Sequence, residues 1–116
     1  MMIIVYGIKN CDTCRSALKW LSAQNIEHRF HDFRKDGIDA SKITAWVGAL
    51  GWETVLNKRS TTWKGLAEPS RANLDDKRAI ALMAASPTLI KRPVIEGGAN
   101  VTVGFTDTVQ KGLKHT

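Results

Sequence analysis

Two cysteines three positions apart are the residues of this chain best suited to covalent chemistry. Cys11 and Cys14 follow a short apolar run that ends at Gly7. A helix beginning here would aim its free backbone amides at the first cysteine, and such amides stabilise a thiolate, as would the nearby Lys9 and Arg15. Cys11 precedes the helix and Cys14 lies one turn further in. We therefore expect Cys11 to be the exposed catalytic nucleophile and Cys14 a candidate resolving cysteine.

Two other interpretations of the cysteines are open. Unreactive cysteines are often buried as small apolar side chains. The set Cys11, Cys14, His28 and His31 also has a spacing close to that of a zinc finger with two cysteines and two histidines. We expect no metal site, because residues three apart on a strand rise about 10 Å and point to opposite faces. His28 and His31 are expected to be partly exposed strand residues.

Hydrophobic spacing predicts the elements that must position the cysteines. The chain begins with a predicted strand at 2–6, a helix at about 12–24 with cap residues at 10–13, and a second strand at 26–33, parallel to the first. A helix ending at Gly51 follows, with Asp39 or Ser41 as its cap, and then a shorter helix at 52–56. The second half begins with a predicted polar loop at 57–70 that contains at most one helical turn, and a helix follows from about 74 and stops at Ser86-Pro87. A hairpin of strands at 93–96 and 101–103 comes next, and a last helix is capped by Thr106 or Asp107.

This order of elements indicates the fold class, an α/β thioredoxin-like fold. We expect a four-stranded mixed sheet with a helical insertion after the first βαβ unit, at about 36–86. The length of 116 residues suits one domain, spanning 1–116, without metal or disulfide staples.

Two arginines are candidates for binding an anion beside Cys11. Arg92 precedes Pro93, and a proline that lacks an N–H donor marks a strand start or a special turn. In a thioredoxin-like fold this turn lies beside the cysteine helix and can present backbone groups to a bound thiol. Arg59 lies in the polar loop, from which it can reach in. Planar guanidinium groups suit oxyanions and carboxylates, although single loop arginines are often plain surface residues.

Several motifs in order resemble the ArsC/Spx family, and most closely its YffB subgroup. They are Gly7-Ile-Lys-Asn-Cys-Asp-Thr13, Asp36-Gly37 through Gly51-Trp52, Asn57-Lys-Arg59, Thr62-Trp63, Lys91-Arg92-Pro93 and Val103-Gly104-Phe105. The resemblance spans nearly the whole chain and implies a thioredoxin fold with a cis Arg92-Pro93 bond. For the family's arsenate reductases it implies that Cys11 attacks arsenate, that Arg59 and Arg92 hold the oxyanion, and that glutathione with glutaredoxin completes the reduction.

The chain departs from that pattern at two places. The reductases use a third arginine near the last strand, whereas this chain has no arginine after Arg92. Losing one charge-assisted contact costs about 1.5 to 3 kcal/mol, which weakens the expectation of arsenate as substrate. Reductase and YffB patterns commonly lack a cysteine at the position of Cys14, whereas Spx regulators, which bind RNA polymerase, carry a CxxC redox switch.

Composition narrows the remaining function classes. The net charge is +6, but lysines and arginines are scattered along the chain, so we expect anionic small molecules as partners and nucleic acid binding is disfavoured. No apolar run is long enough to span a membrane, and the first six residues are too short for a signal peptide. We expect a cytoplasmic protein, active as a monomer, with no tightly bound cofactor.

Three functions are compatible with these residues. The first is an arsenate reductase-like oxidoreductase in which the Cys11 thiolate attacks a thiol-linked or oxyanion substrate and glutathione is the co-substrate. The second is an Spx-like regulator whose Cys11–Cys14 disulfide changes a surface bound by RNA polymerase. The third is a dithiol oxidoreductase that cycles both cysteines as glutaredoxin does.

Overall fold

Strands and helices account for most of residues 2–97 and 100–114, which are the residues that the computed structural model describes. The strands are β1 (Ile3–Gly7), β2 (His28–Asp32), β3 (Val94–Gly97) and β4 (Asn100–Val103). The helices are α1 (Asp12–Ala23), α2 (Phe33–Asp36), α3 (Ala40–Leu50), α4 (Trp52–Val55), α5 (Thr61–Lys64), α6 (Glu68–Arg71), α7 (Asp76–Ala85) and α8 (Asp107–Lys114), with a 3-10 turn at Pro87–Leu89. Residues 98 and 99, at the tip of the predicted hairpin, lie outside the described residues.

The four strands form one mixed sheet in the order β2-β1-β3-β4. β1 and β2 are parallel, with Ile3 opposite His28, as the intervening helix α1 predicts. β3 is antiparallel to both β1 and β4. The predicted thioredoxin-like fold is confirmed.

The described residues within 1–37 and 92–116 form one compact unit that contains the sheet, α1, α2 and α8. α1 buries Cys14, Ala17 and Leu21, which lie on one face because they are spaced three and four residues apart. Leu21 joins the core beneath the sheet. The other buried members of that core are Ile3, Val5, Ile95 and Leu113.

Residues 38–91 form a second compact unit made of helices α3 to α7. Its core lies between α3, which buries Trp46, and α7, which buries Met83. Leu56 and Ile90 are fully buried and form an isolated antiparallel bridge. Among the described residues no helix has the length and apolar character needed to cross a membrane.

The predicted and observed elements differ at short helices and at caps. The sequence gives no periodic signal for α2, a single turn that starts because the carboxylate of Asp32 accepts the backbone N–H of Arg34 at 2.8 Å. The loop predicted at 57–70 contains two helical turns, at Thr61–Lys64 and Glu68–Arg71, where at most one was expected. Asp39 occupies the N-cap position of α3 without a side-chain capping hydrogen bond.

Candidate active site around Cys11

The end of β1 delivers Cys11 to the start of α1. Cys11 is the N-cap residue, with extended backbone angles, and its carbonyl accepts the first helical hydrogen bond from the N–H of Arg15 at 3.0 Å. Its side chain makes no capping hydrogen bond, so the capping chemistry expected at 10–13 is absent and the first-turn amides of α1 are not used by a side-chain cap. Cys11 is half-buried, as expected of a nucleophile that must meet a substrate.

Cys14 lies one turn deeper in α1, where burial changes the acidity of its thiol. It is 1% exposed. Burial raises the pKa of Cys14 to about 12, and the hydrogen bond to the sulfur of Cys11 adds to that rise. The backbone N–H of Ile8 and the charge of Arg92 act in the opposite direction but are outweighed. At neutral pH Cys14 is therefore a protonated thiol whose S–H donates to Sγ of Cys11.

The close packing of Cys14 depends on the absence of a side chain at Gly7. A methyl group at Gly7 would overlap Sγ of Cys14, and there is no room on the strand for both. The sequence pattern indicates Gly7 only as the end of a strand and carries no signal for the hydrogen bond from the Ile8 amide. A glycine at the end of a buried strand, four residues before the cysteine pair, is the signal that could have indicated a close approach at this point.

Arg92 and Pro93 lie at the same edge of the sheet as Cys11. Tyr6 near the end of β1 pairs with Val94 at the start of β3, so the chain enters β3 beside the place where it leaves β1. The Arg92-Pro93 peptide bond is cis, as the resemblance implied. Pro93 is buried, and its carbonyl accepts the N–H of Gly104 at 2.8 Å.

Within this unit a candidate sulfur nucleophile, a helix N-terminus and an arginine are thus brought together. Arg92 is half-buried, and its charge is close enough to favour the thiolate form of Cys14, whose sulfur contacts that of Cys11. A thiolate beside a guanidinium and unused helix amides can attack a sulfur or an oxyanion and share the charge of the leaving group.

Arg15 does not act on Cys11 in the way that sequence proximity suggested. Its guanidinium is paired with the carboxylate of Asp12 at 2.7 Å, across the first turn of α1. Both side chains are more than half exposed. Because the carboxylate of Asp12 neutralises Arg15 in a solvent-exposed pair, the guanidinium contributes little to stabilising a thiolate at Cys11.

Arg59 belongs to the helical unit, in the segment between α4 and α5. It is exposed, and its backbone N–H donates to Oδ1 of Asn57 at 3.0 Å. The side chain of Ser60 then caps α5 by accepting the N–H of Trp63. Convergence of Arg59 on Cys11 stays a prediction.

The two histidines of β2 have local roles. The ring of His28 is hydrogen-bonded through Nδ1 to the carbonyl of Ile26 at 2.8 Å, and that of His31 through Nε2 to the carbonyl of Gly37 at 2.6 Å. Both are partly exposed, as predicted. In residues 2–97 and 100–114 no three histidine, cysteine or acidic side chains are grouped as metal ligands.

Comparison with known proteins places this geometry in a family. The ArsC family model matches residues 6–111. An uncharacterized protein of Haemophilus influenzae is 49% identical over 106 residues, covering 91% of this chain and 93% of that protein. A solved structure of a YffB protein is 41% identical, with a TM-score of 0.92 over 96% of this chain and 97% of its own. The global transcriptional regulator Spx of Lactiplantibacillus plantarum is 23% identical over 108 residues, covering 91% of this chain and 81% of its own length.

The motifs that resembled this family in the sequence lie within the matched residues, and the fold agrees with them. This chain belongs to the ArsC family.

Proposed function

We propose that the protein is a glutathione-dependent thiol reductase in which Cys11 is the nucleophile. The observation that carries the proposal is the half-exposed sulfur of Cys11 at the uncapped start of α1, with the buried thiol of Cys14 donating to it. A thiolate in such a position attacks disulfides readily, because helix amides and a thiol donor share its charge. The proposed site of action is the cytoplasm, where glutathione keeps thiols reduced.

The proposed reaction has two exchange steps. The Cys11 thiolate attacks the glutathione sulfur of a mixed disulfide, so the substrate leaves as a thiolate and Cys11 becomes disulfide-bonded to glutathione. The thiolate of a second glutathione then attacks that glutathione sulfur, which releases oxidised glutathione and restores the Cys11 thiolate. Each turnover consumes one free glutathione thiol and one mixed disulfide, and it yields the substrate thiol and oxidised glutathione.

In this scheme the two arginines stabilise negative charge on the bound molecules. Arg92, at the sheet edge that carries Cys11, would stabilise the departing thiolate or a carboxylate of the bound thiol. The proposal keeps Arg59 as a second anion-binding residue, and the turn at Pro93 as the backbone that faces the bound thiol. Arsenate is a poorer substrate in this account, because no arginine follows Arg92 in the chain.

The test is the glutathione-dependent turnover of a mixed disulfide between glutathione and a small thiol, with arsenate measured in parallel. We expect Cys11→Ser to abolish turnover and Cys14→Ser to retain it, because glutathione rather than Cys14 resolves the intermediate. Full activity of Cys11→Ser would refute the mechanism. Loss of activity in Cys14→Ser would instead support a glutaredoxin-like dithiol cycle.

Arg92→Gln and Arg92→Lys separate charge from geometry at the second candidate position. We expect Lys to retain more activity than Gln, since the ammonium keeps the charge but loses the planar fork. Equal activity of all three proteins would remove Arg92 from the mechanism. Addition of a glutaredoxin to the assay shows whether it accelerates the second step.

A redox-switch regulator is the second candidate function, favoured by the contact between the two sulfurs. That contact would let Cys11 and Cys14 form a disulfide that alters a surface recognised by RNA polymerase, as the resemblance to Spx suggested. A pull-down with the reduced and the oxidised protein tests it. Recovery of no polymerase subunit in either state would count against this function.

A further inference from the structure

A cavity of about 510 Å³ lies at the carboxyl ends of the parallel strands β1 and β2, within the sheet-containing unit. We call it the α1–α2 cavity. Its apolar lining residues, which we call the floor, are Ile8, Cys14, Leu18 and Phe30. Its polar residues are Lys9, Asn10, Arg15, Asp32, Lys35 and Asp36. Ligands of α/β sheets commonly bind at the carboxyl ends of parallel strands, and this volume lies within the range of small-molecule sites.

The cationic groups of the cavity are only partly used by the protein. Arg15 is paired with Asp12 outside the cavity lining. Lys9 and Lys35, in contrast, form no ion pair with any side chain of the described residues. Two ammonium groups are therefore available to carboxylates of a ligand.

Within the part of the chain that the structure describes, the acidic groups of the cavity accept hydrogen bonds only from backbone amides. Asp32 accepts the N–H of Arg34 at 2.8 Å, and Oδ2 of Asp36 accepts the N–H of Asp32 at 3.2 Å. A carboxylate has about four acceptor positions, so each retains capacity for a ligand donor. Two cations and two carboxylates around an apolar floor match a small zwitterionic molecule better than a simple anion.

The cavity adjoins the nucleophile. Asn10, in its lining, directly precedes Cys11, and Cys14, which also lines it, is hydrogen-bonded through its sulfur to that of Cys11. A molecule bound here therefore contacts residues that flank Cys11 on both sides along the chain.

We propose that the α1–α2 cavity binds the glutathionyl group that Cys11 attacks and then carries. This inference rests on the proposed function and adds the binding site of its co-substrate. The two carboxylates of glutathione pair with Lys9 and Lys35, and its ammonium pairs with Asp32 or Asp36. Its peptide backbone lies over the apolar floor.

The experiment uses S-methylglutathione, which keeps these charges but cannot exchange thiols. Its binding to the full chain is followed by two-dimensional NMR in the wild type and in Lys9→Glu, Lys35→Glu and Lys19→Glu. We expect shift changes at Leu18, Phe30 and Lys35, and a Kd raised about fivefold by either cavity variant, because an attraction becomes a repulsion. Lys19 is exposed on α1 but does not line the cavity, so its variant should keep the wild-type Kd.

Three outcomes would overturn the inference: no binding, shifts confined to Arg92 and β4, or equal Kd values in all four proteins. The turnover assay is run on the same variants to separate this result from the proposed function. Loss of turnover in Cys11→Ser with unchanged Kd in the lysine variants would refute the cavity assignment alone. Binding in the cavity by a wild type that has no turnover would refute the proposed function alone.

Discussion

Removal of the Cys14 thiol should slow the reaction of Cys11 with electrophiles. The Cys14 S–H donates to the Cys11 sulfur, and that bond is strongest when Cys11 is a thiolate. A hydrogen bond to a charged acceptor contributes about 1.5 to 3 kcal/mol, and the weak S–H donor belongs at the lower end. About 1.4 kcal/mol of stabilisation lost from the attacking group corresponds to a tenfold slower reaction. We therefore expect Cys14→Ala to be alkylated at Cys11 up to about tenfold more slowly at neutral pH.

Cys14→Ser separates the lost donor from the lost sulfur. Its hydroxyl can donate to Cys11 and accept the N–H of Ile8, so we expect the alkylation rate to stay within about threefold of the wild type. The assay is the second-order rate of carbamidomethylation of Cys11, read by mass spectrometry of the peptide. Leu21→Ala is a control for lost packing on α1, because Leu21 belongs to the core beneath the sheet and neither cysteine does. A Cys14→Ala protein that reacts as fast as the wild type would refute the assignment of Cys14 as a donor.

Three further predictions concern stability and use unfolding in urea as the measurement. Gly7→Ala should lower the free energy of unfolding by about 1 to 3 kcal/mol, because the new methyl group overlaps the Cys14 sulfur. Gly48→Ala on α3, where the added methyl group meets open space, should be neutral or slightly stabilising, and equal effects of the two variants would contradict the close packing at Gly7. The pKa of Cys14 is higher in the folded than in the unfolded protein, so above pH 9 the unfolded state loses this proton while the folded state keeps it. The free energy of unfolding should therefore fall above pH 9 by up to about 1.4 kcal/mol per pH unit, with a shallower slope in Cys14→Ser. A slope unchanged by the variant would argue against the buried thiol. Asp75→Ala should cost about 1 kcal/mol because that carboxylate caps α7, and Asp39→Ala, which removes no capping bond, should cost less.

The sheet and the long helices could be predicted because their hydrophobic spacing is strong. Val5 and its neighbours form a continuous apolar run that is buried in the sheet, and Ala17 and Leu21 keep a helical period, so the predicted and observed bounds of both elements agree within two residues. The single turn α2 could not be predicted in this way. It is shorter than one hydrophobic repeat and depends on the cap at Asp32.

The positions of the two cysteines could be predicted from the sequence, but the ion pairing and close packing around them could not. Residue spacing indicated that Cys11 precedes the helix and Cys14 lies deeper, and burial agrees with both. The pairing of Arg15 with Asp12 was missed, because three residues of separation allow several partners and only the rotamers decide among them. The dependence of Cys14 on Gly7 was missed because it joins a strand and a helix across the core.

The proposed mechanism requires that Cys11 form the covalent intermediate with glutathione. Intact-mass measurement after a brief incubation of the protein with oxidised glutathione, followed by peptide mapping, detects this intermediate and its position. We expect one glutathione per chain, attached to Cys11, in the wild type and in Cys14→Ser, and none in Cys11→Ser. Attachment at Cys14, or no attachment in the wild type, would refute the mechanism.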